Sequence, residues 1–227
     1  MIDSDLQLKR HVDDELAWEP SIVASRIGVS VKDAVVTISG SVDSYAQKHQ
    51  AAAAVMAIRG VRAVANELVV KLATESERSD EDIAHTIASI FAWNTLIPKN
   101  VVKVQVSDGW VTLEGCVDWH FQRIAAESMV KDLMGVKGVS NLIAVKSGPL
   151  QRSAKSKLKS TFNRRLDTNI SDEIDIGIVG STIVLSGRVA TLADRTAMEE
   201  IAWKSPGAGW VENRLEVEPL LEVIEVT

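Results

Sequence analysis

Three times along this chain the apolar positions change period in the same order. Leu8, Val12 and Leu16 are spaced i, i+4, i+8, as are Ile83, Ile87 and Phe91, and Leu158, Phe162 and Leu166. That spacing lays one apolar stripe along a helix. Strict alternation follows in Ile27, Val29 and Val31, in Val102, Val104 and Val106, and in Ile174, Ile176 and Ile178. A period of two predicts a strand with one buried face. Short turns come next at 32–34, 107–109 and 179–181, before a second alternating run carrying Val36 and Ile38, Val111 and Leu113, or Ile183 and Leu185. Two such runs with so short a join predict a hairpin. A second helix is expected over about 44–59, 119–134 and 192–204, then a last strand with Val64, Leu68 and Val70, Val139, Ile143 and Val145, or Val211, Leu215 and Val217.

The matching positions recur at fixed offsets, 75 residues from the first copy to the second and 72 from the second to the third. Gly40, Gly115 and Gly187 close the runs VVTISG, WVTLEG and TIVLSG. Gly60, Gly135 and Gly207 sit where a helix end commonly needs left-handed backbone, and six residues after each comes Asn66, Asn141 or Asn213. So regular a repeat predicts tandem copies of one supersecondary unit. A helical crossover between the second and third strands favours a parallel pair with a right-handed connection. The expected fold is therefore α+β: three tandem α-β-β-α-β modules, each a three-stranded mixed sheet with two helices on one face. The modules are placed at 1–72, 79–147 and 153–218, with an apolar, β-prone tail at 219–227. Units of about 70 residues are near the lower size for independent stability, so the copies are expected to pack on one another.

The element order, the strand ending in V-x-L-x-G-x-V and the later G-V-x-x-V-x-N resemble the BON domain, named for bacterial osmotically inducible and nodulation proteins. The first copy reads Val36-Thr37-Ile38-Ser39-Gly40-Ser41-Val42 and Gly60-Val61-Arg62-Ala63-Val64-Ala65-Asn66. The second carries the motifs at 111–117 and 135–141, and the third keeps Gly187, Gly207 and Asn213 in a degraded form. The resemblance implies non-enzymatic binding in envelope or osmotic stress, with phospholipid association in some members. The shared motif residues themselves fill a core or turn a chain.

Composition narrows the chemistry. Twenty-five basic and 31 acidic residues give a formal charge of −6, which argues against a surface given over wholly to nucleic acid. No run of apolar residues reaches membrane-spanning length, and the N-terminal sequence has no secretory signature. Cytoplasmic residence is the expectation, or periplasmic residence had a native signal been removed. Cys116 is alone, and its repeat counterparts are Ser41 and Arg188, so it is expected at the surface. His11, His49, His85 and His120 show no metal-ligand spacing, and no nucleophile elbow or phosphate loop is present. Asp33 and Asp108 fit turn chemistry, while Asp43 and Asp118 precede helices, where they or the following residue can cap. No enzyme activity, cofactor or metal is expected.

Two features stand out from this background. Arg152, Lys155, Lys157, Lys159, Arg164 and Arg165 lie within 14 residues free of acids, on a helix whose other face carries Leu158 and Phe162. A basic amphipathic helix is a candidate site for an anion or lipid. Six tryptophans are the second feature. Trp18 and Trp93 are repeat-equivalent and are expected to pack at the end of the first helix. Trp110 has the opposite parity to Val111 and is expected on the helix-free side of its sheet, and Trp119 has no aromatic counterpart, so both are candidate exposed contacts. The leading functional expectation is a stress-associated binding protein engaging anionic phospholipid or a protein partner. A self-associating scaffold or chaperone-like protein, and a sensor of a small ligand or ion held between modules, remain open beside it.

Overall fold

A computed structural model describes residues 2–150, 153–165 and 174–218, without the side chains of Ile2, Asp3, Asn163 and Arg165. Arg152, Leu166, the Arg165 side chain and the apolar tail at 219–227 thus lie outside the described residues.

The first module runs α1 (Ile2–Trp18), β1 (Ile27–Lys32), β2 (Val35–Val42), α2 (Tyr45–Met56) and β3 (Ala63–Val70). The second runs α3 (Asp80–Trp93), β4 (Val102–Ser107), β5 (Trp110–Val117), α4 (His120–Lys131) and β6 (Gly138–Val145). The third runs α5 (Ala154–Arg165), β7 (Asp175–Val179), β8 (Thr182–Val189), α6 (Leu192–Trp203) and β9 (Trp210–Val217). Each module has its own three-stranded sheet with the second strand central, antiparallel to the first and parallel to the third. This is the α+β fold expected from the period changes.

Each apolar stripe meets the inward positions of its own sheet. In the first module Leu8, Val12 and Leu16 of α1, Val36 and Ile38 of β2, Ala51 and Val55 of α2 and Leu68 of β3 form one buried cluster, and the other two modules repeat it. Both helices therefore cover the same face. The motif glycines are required by geometry. Gly40 and Gly115 have φ of 123° and 145°, and a β-carbon there would collide with the carbonyl oxygen of Arg26 or Val101, the residue just before the neighbouring strand. The motif asparagines clamp helix to strand. Asn66, Asn141 and Asn213 donate to the carbonyls of Lys48, Arg123 and Arg195 in the second helices, and each accepts from the backbone N–H two residues on.

One further anchor came with no sequence warning. Asp5 accepts from the N–H groups of Asp33 and Ala34 at 2.8 and 3.1 Å, and its repeat counterpart Asp80 accepts from Asp108 and Gly109 at 2.8 Å. The first helix thus fixes the hairpin turn. In the third module the equivalent position is Lys155, which lies 3.6 Å from Asp175 instead.

The modules touch through one repeated contact. The first residue of each second helix, Tyr45, His120 or Leu192, reaches into a neighbour. Tyr45 packs on the core of the second module, its phenol against the backbone of Val139 and near Glu127. Burial and the Glu127 carboxylate push its pKa up. His120 stacks on Trp203 of the third module, with centroids 4.5 Å apart and planes 7° from parallel. Leu192 packs on the core of the first module. The order first to second, second to third and third to first closes a ring, as head-to-tail contacts do when their rotation closes.

Candidate functional site

The ends of the first helices are the most exposed apolar points described. Trp18 is 86% exposed and Trp93 90%. This corrects the expectation that they pack inside. The reason is angular: each stands two residues after the last member of its stripe, Leu16 or Phe91, about 200° around the helix from the core. The loops that follow add Val23 and Leu96, also exposed. Two repeat-equivalent apolar tips result.

The basic segment falls on α5. Leu158 and Phe162 are buried, while Lys155, Lys157, Lys159 and Arg164 are exposed. Arg164 donates to the Ser160 carbonyl, and Lys157 borders a small depression that it shares with Lys204. Trp110 is half-exposed in β5, donates to Ser140 Oγ at 2.9 Å and covers Gly138 on β6. Its indole thus fills a place on the sheet surface that glycine leaves open.

The remaining aromatic group lies at the seam of the second and third modules. Trp119, His120, Phe121 and Ile124 at the start of α4 face Glu200, Trp203 and Lys204 at the end of α6 across a cleft of about 400 Å³. Trp119, Phe121 and Ile124 are 42%, 51% and 36% exposed, whereas Trp203 is buried, its edge also meeting Trp210. Burial lowers the His120 pKa to about 4, with Arg123 adding to the effect, so the imidazole is neutral. His120 Nδ1 and Arg123 Nε are buried without a hydrogen-bond partner. A larger depression of about 540 Å³ between α3 and β4 is lined by Ala84, Ala88, Val102 and Val104, with its polar groups at a solvated rim.

The helix starts explain why this cleft was hard to foresee. Ser44 Oγ accepts from the N–H of Gln47, and Thr191 Oγ1 from that of Asp194, so α2 and α6 are capped by hydroxyls. Trp119 stands in the same place on α4 and has no side-chain acceptor to offer. Gln122 Oε1 instead accepts from the N–H groups of Asp118 and Trp119. Asp43 and Asp118 do not cap. They pair with Arg26 at 2.6 Å and Lys146 at 2.8 Å. Cys116 is exposed. Among the described residues no group of three or more His, Cys, Asp or Glu side chains is placed to hold a metal ion, and no helix is long and apolar enough to cross a membrane.

The family model described as "BON domain" matches residues 4–71, 79–147 and 152–219. Osmotically-inducible protein Y of Escherichia coli (strain K12) is 34% identical over 130 residues, which cover 56% of this chain and 65% of that protein. Among solved structures, two of CdsD, a structural protein of the type III secretion system of Chlamydia trachomatis, align at 14% identity. Both alignments cover 94% of this chain, with 93% and 98% of the CdsD chains and a TM-score of 0.24.

Proposed function

The chain belongs to the BON-domain family, and from that premise we propose that it is a non-enzymatic, stress-associated binding protein that meets a phospholipid surface through its two tryptophan tips. The observation that carries this reading is the near-complete exposure of Trp18 and Trp93 at equivalent positions. A folded protein gains nothing from leaving two indoles in water, and indole rings favour the headgroup level of a bilayer. In a ring of modules related by rotation, equivalent positions project from the same side. Two tips on one side can enter one flat surface together, where each binding event raises the effective concentration for the other. Arg164, near the end of α5 that corresponds to these tips, supplies attraction to anionic headgroups, worth about 1 kcal/mol close to the surface. The stress assignment rests on the likeness to osmotically-inducible protein Y, whose length this chain spans only in part.

Flotation with vesicles of phosphatidylglycerol and of phosphatidylcholine tests the proposal. The intact chain is expected to float with the anionic vesicles and to show blue-shifted tryptophan emission. The variant Trp18→Ser/Trp93→Ser keeps its fold, because neither side chain is buried, and loses most of that binding. Unchanged flotation of the double variant, or no flotation of the intact chain, overturns the reading.

A further inference from the structure

The three seams are equivalent by repeat but are not equally furnished. Where the second module has Trp119, Phe121 and Ile124, the first has Ser44, Ala46 and His49 and the third has Thr191, Ala193 and Thr196. On the opposite wall Trp203 replaces Lys131 and Met56. At the three helix-start positions the fold is therefore satisfied by small and polar residues, and on the facing wall by a lysine or a methionine. At one seam it carries four large apolar side chains, three of them partly exposed, and gives up a helix cap to do so. Residues that break a local rule with no folding return point to a site.

We propose that this seam binds a small apolar anion, a molecule with an aromatic or aliphatic body and one carboxylate or sulfonate head. Size selects the class. A cleft of about 400 Å³ lies in the range of small-ligand pockets and is too small for a docked helix, whose diameter alone is about 10 Å. The body would lie against Trp119, Phe121 and Ile124. Charge selects the head. Lys204 lines the cleft beside the single carboxylate of Glu200, and Lys157 shares the adjoining depression with Lys204, so ammonium groups outnumber carboxylates there. Neither Glu200 nor Lys204 is in an ion pair among the described residues. The unpartnered nitrogen of His120 at the cleft is a second polar group without a protein partner. Such orphans are rare in folded proteins and are often completed by something outside the chain.

The site is separate from the tryptophan tips, so the two proposals fail independently. The test uses the full chain in the Trp18→Ser/Trp93→Ser background, with the anionic dye anilinonaphthalene sulfonate as probe and laurate and dodecylamine, below micellar concentrations, as competitors. The dye is expected to bind once per chain and to be displaced by laurate at least tenfold more readily than by dodecylamine. Trp119→Ser restores the hydroxyl cap seen on α2 and should weaken the dye at least tenfold while leaving the melting temperature equal or higher. Lys204→Glu should weaken dye and laurate alike. Dye affinity unaltered by Trp119→Ser sinks the site. So does a lowered melting temperature in that variant with the dye still bound, which would make the indole a packing residue. Equal displacement by the amine sinks the anionic head.

Discussion

At the scale of single residues, the repeat motif is a folding motif, and its asparagine does the most. Asn141 donates to the Arg123 carbonyl at 2.9 Å and to Glu127 at 3.0 Å, and accepts from the Ile143 N–H at 3.3 Å. It joins α4 to β6 at a partly buried point. Truncating it leaves a helix carbonyl and a strand N–H without partners, which costs about 1–3 kcal/mol for each group truly buried. Asn141→Ala is expected to lower the urea-unfolding free energy by roughly 2–3 kcal/mol with little effect on the dye in the seam cleft, which Asn141 does not line. The recurrence of Asn66, Asn141 and Asn213 was plain in the sequence. Their task was not, because the accepting carbonyl lies 18 residues earlier and only the folded crossover brings it near.

At the scale of elements, the sequence carried periods well and ends less well. The second helices stop nearly a turn before their expected limits at Met56 and Lys131, and within one residue of the expected limit at Trp203. After Met56 the bonding tightens, with the N–H of Ile58 meeting the Val55 carbonyl at i−3. Apolar spacing alone cannot separate such a turn from a further turn of α-helix. The exposure of Trp18 was legible in principle from its angle to the stripe, but helix termini are where packing habitually overrides position. The hairpin turn of the first module shows a different trade. Asp33 and Ala34 both have positive φ, 52° and 61°, and the grip of Asp5 on their N–H groups helps to hold them there. Alanine in that region is strained by about 1 kcal/mol, a cost glycine avoids. The second module already has Gly109 at the equivalent place. Ala34→Gly should therefore raise the unfolding free energy by about 0.5–1 kcal/mol, read by thermal or urea denaturation. A loss of stability would show that Ala34 makes a contact worth more than its strain.

At the scale of the molecule, the ring depends on three unlike keys in one kind of lock, and this was not legible because each key is a different residue. Leu192 closes the ring by packing on the first module's core. Leu192→Asp puts a charge there and is expected to open that seam alone. Small-angle scattering should then report a larger radius of gyration with circular dichroism unchanged. His120 makes its seam sensitive to pH, and the sign follows from its depressed pKa. An unfolded imidazole titrates near 6.5, whereas the stacked one titrates at about 4. Above pH 6.5 both are neutral and the seam is at full strength. As pH falls from there toward 4, only the unfolded or undocked form takes up a proton, so stability is lost across that window. Burial sets the cost of a cation on the ring and the Arg123 guanidinium adds to it, while Lys204 and Glu200 line the same cleft with opposite charges. The melting temperature should accordingly decline between pH 6.5 and 4. His120→Phe, which keeps a flat ring on Trp203 but cannot be protonated, should flatten that part of the profile. An identical decline in the variant would place the acid sensitivity elsewhere.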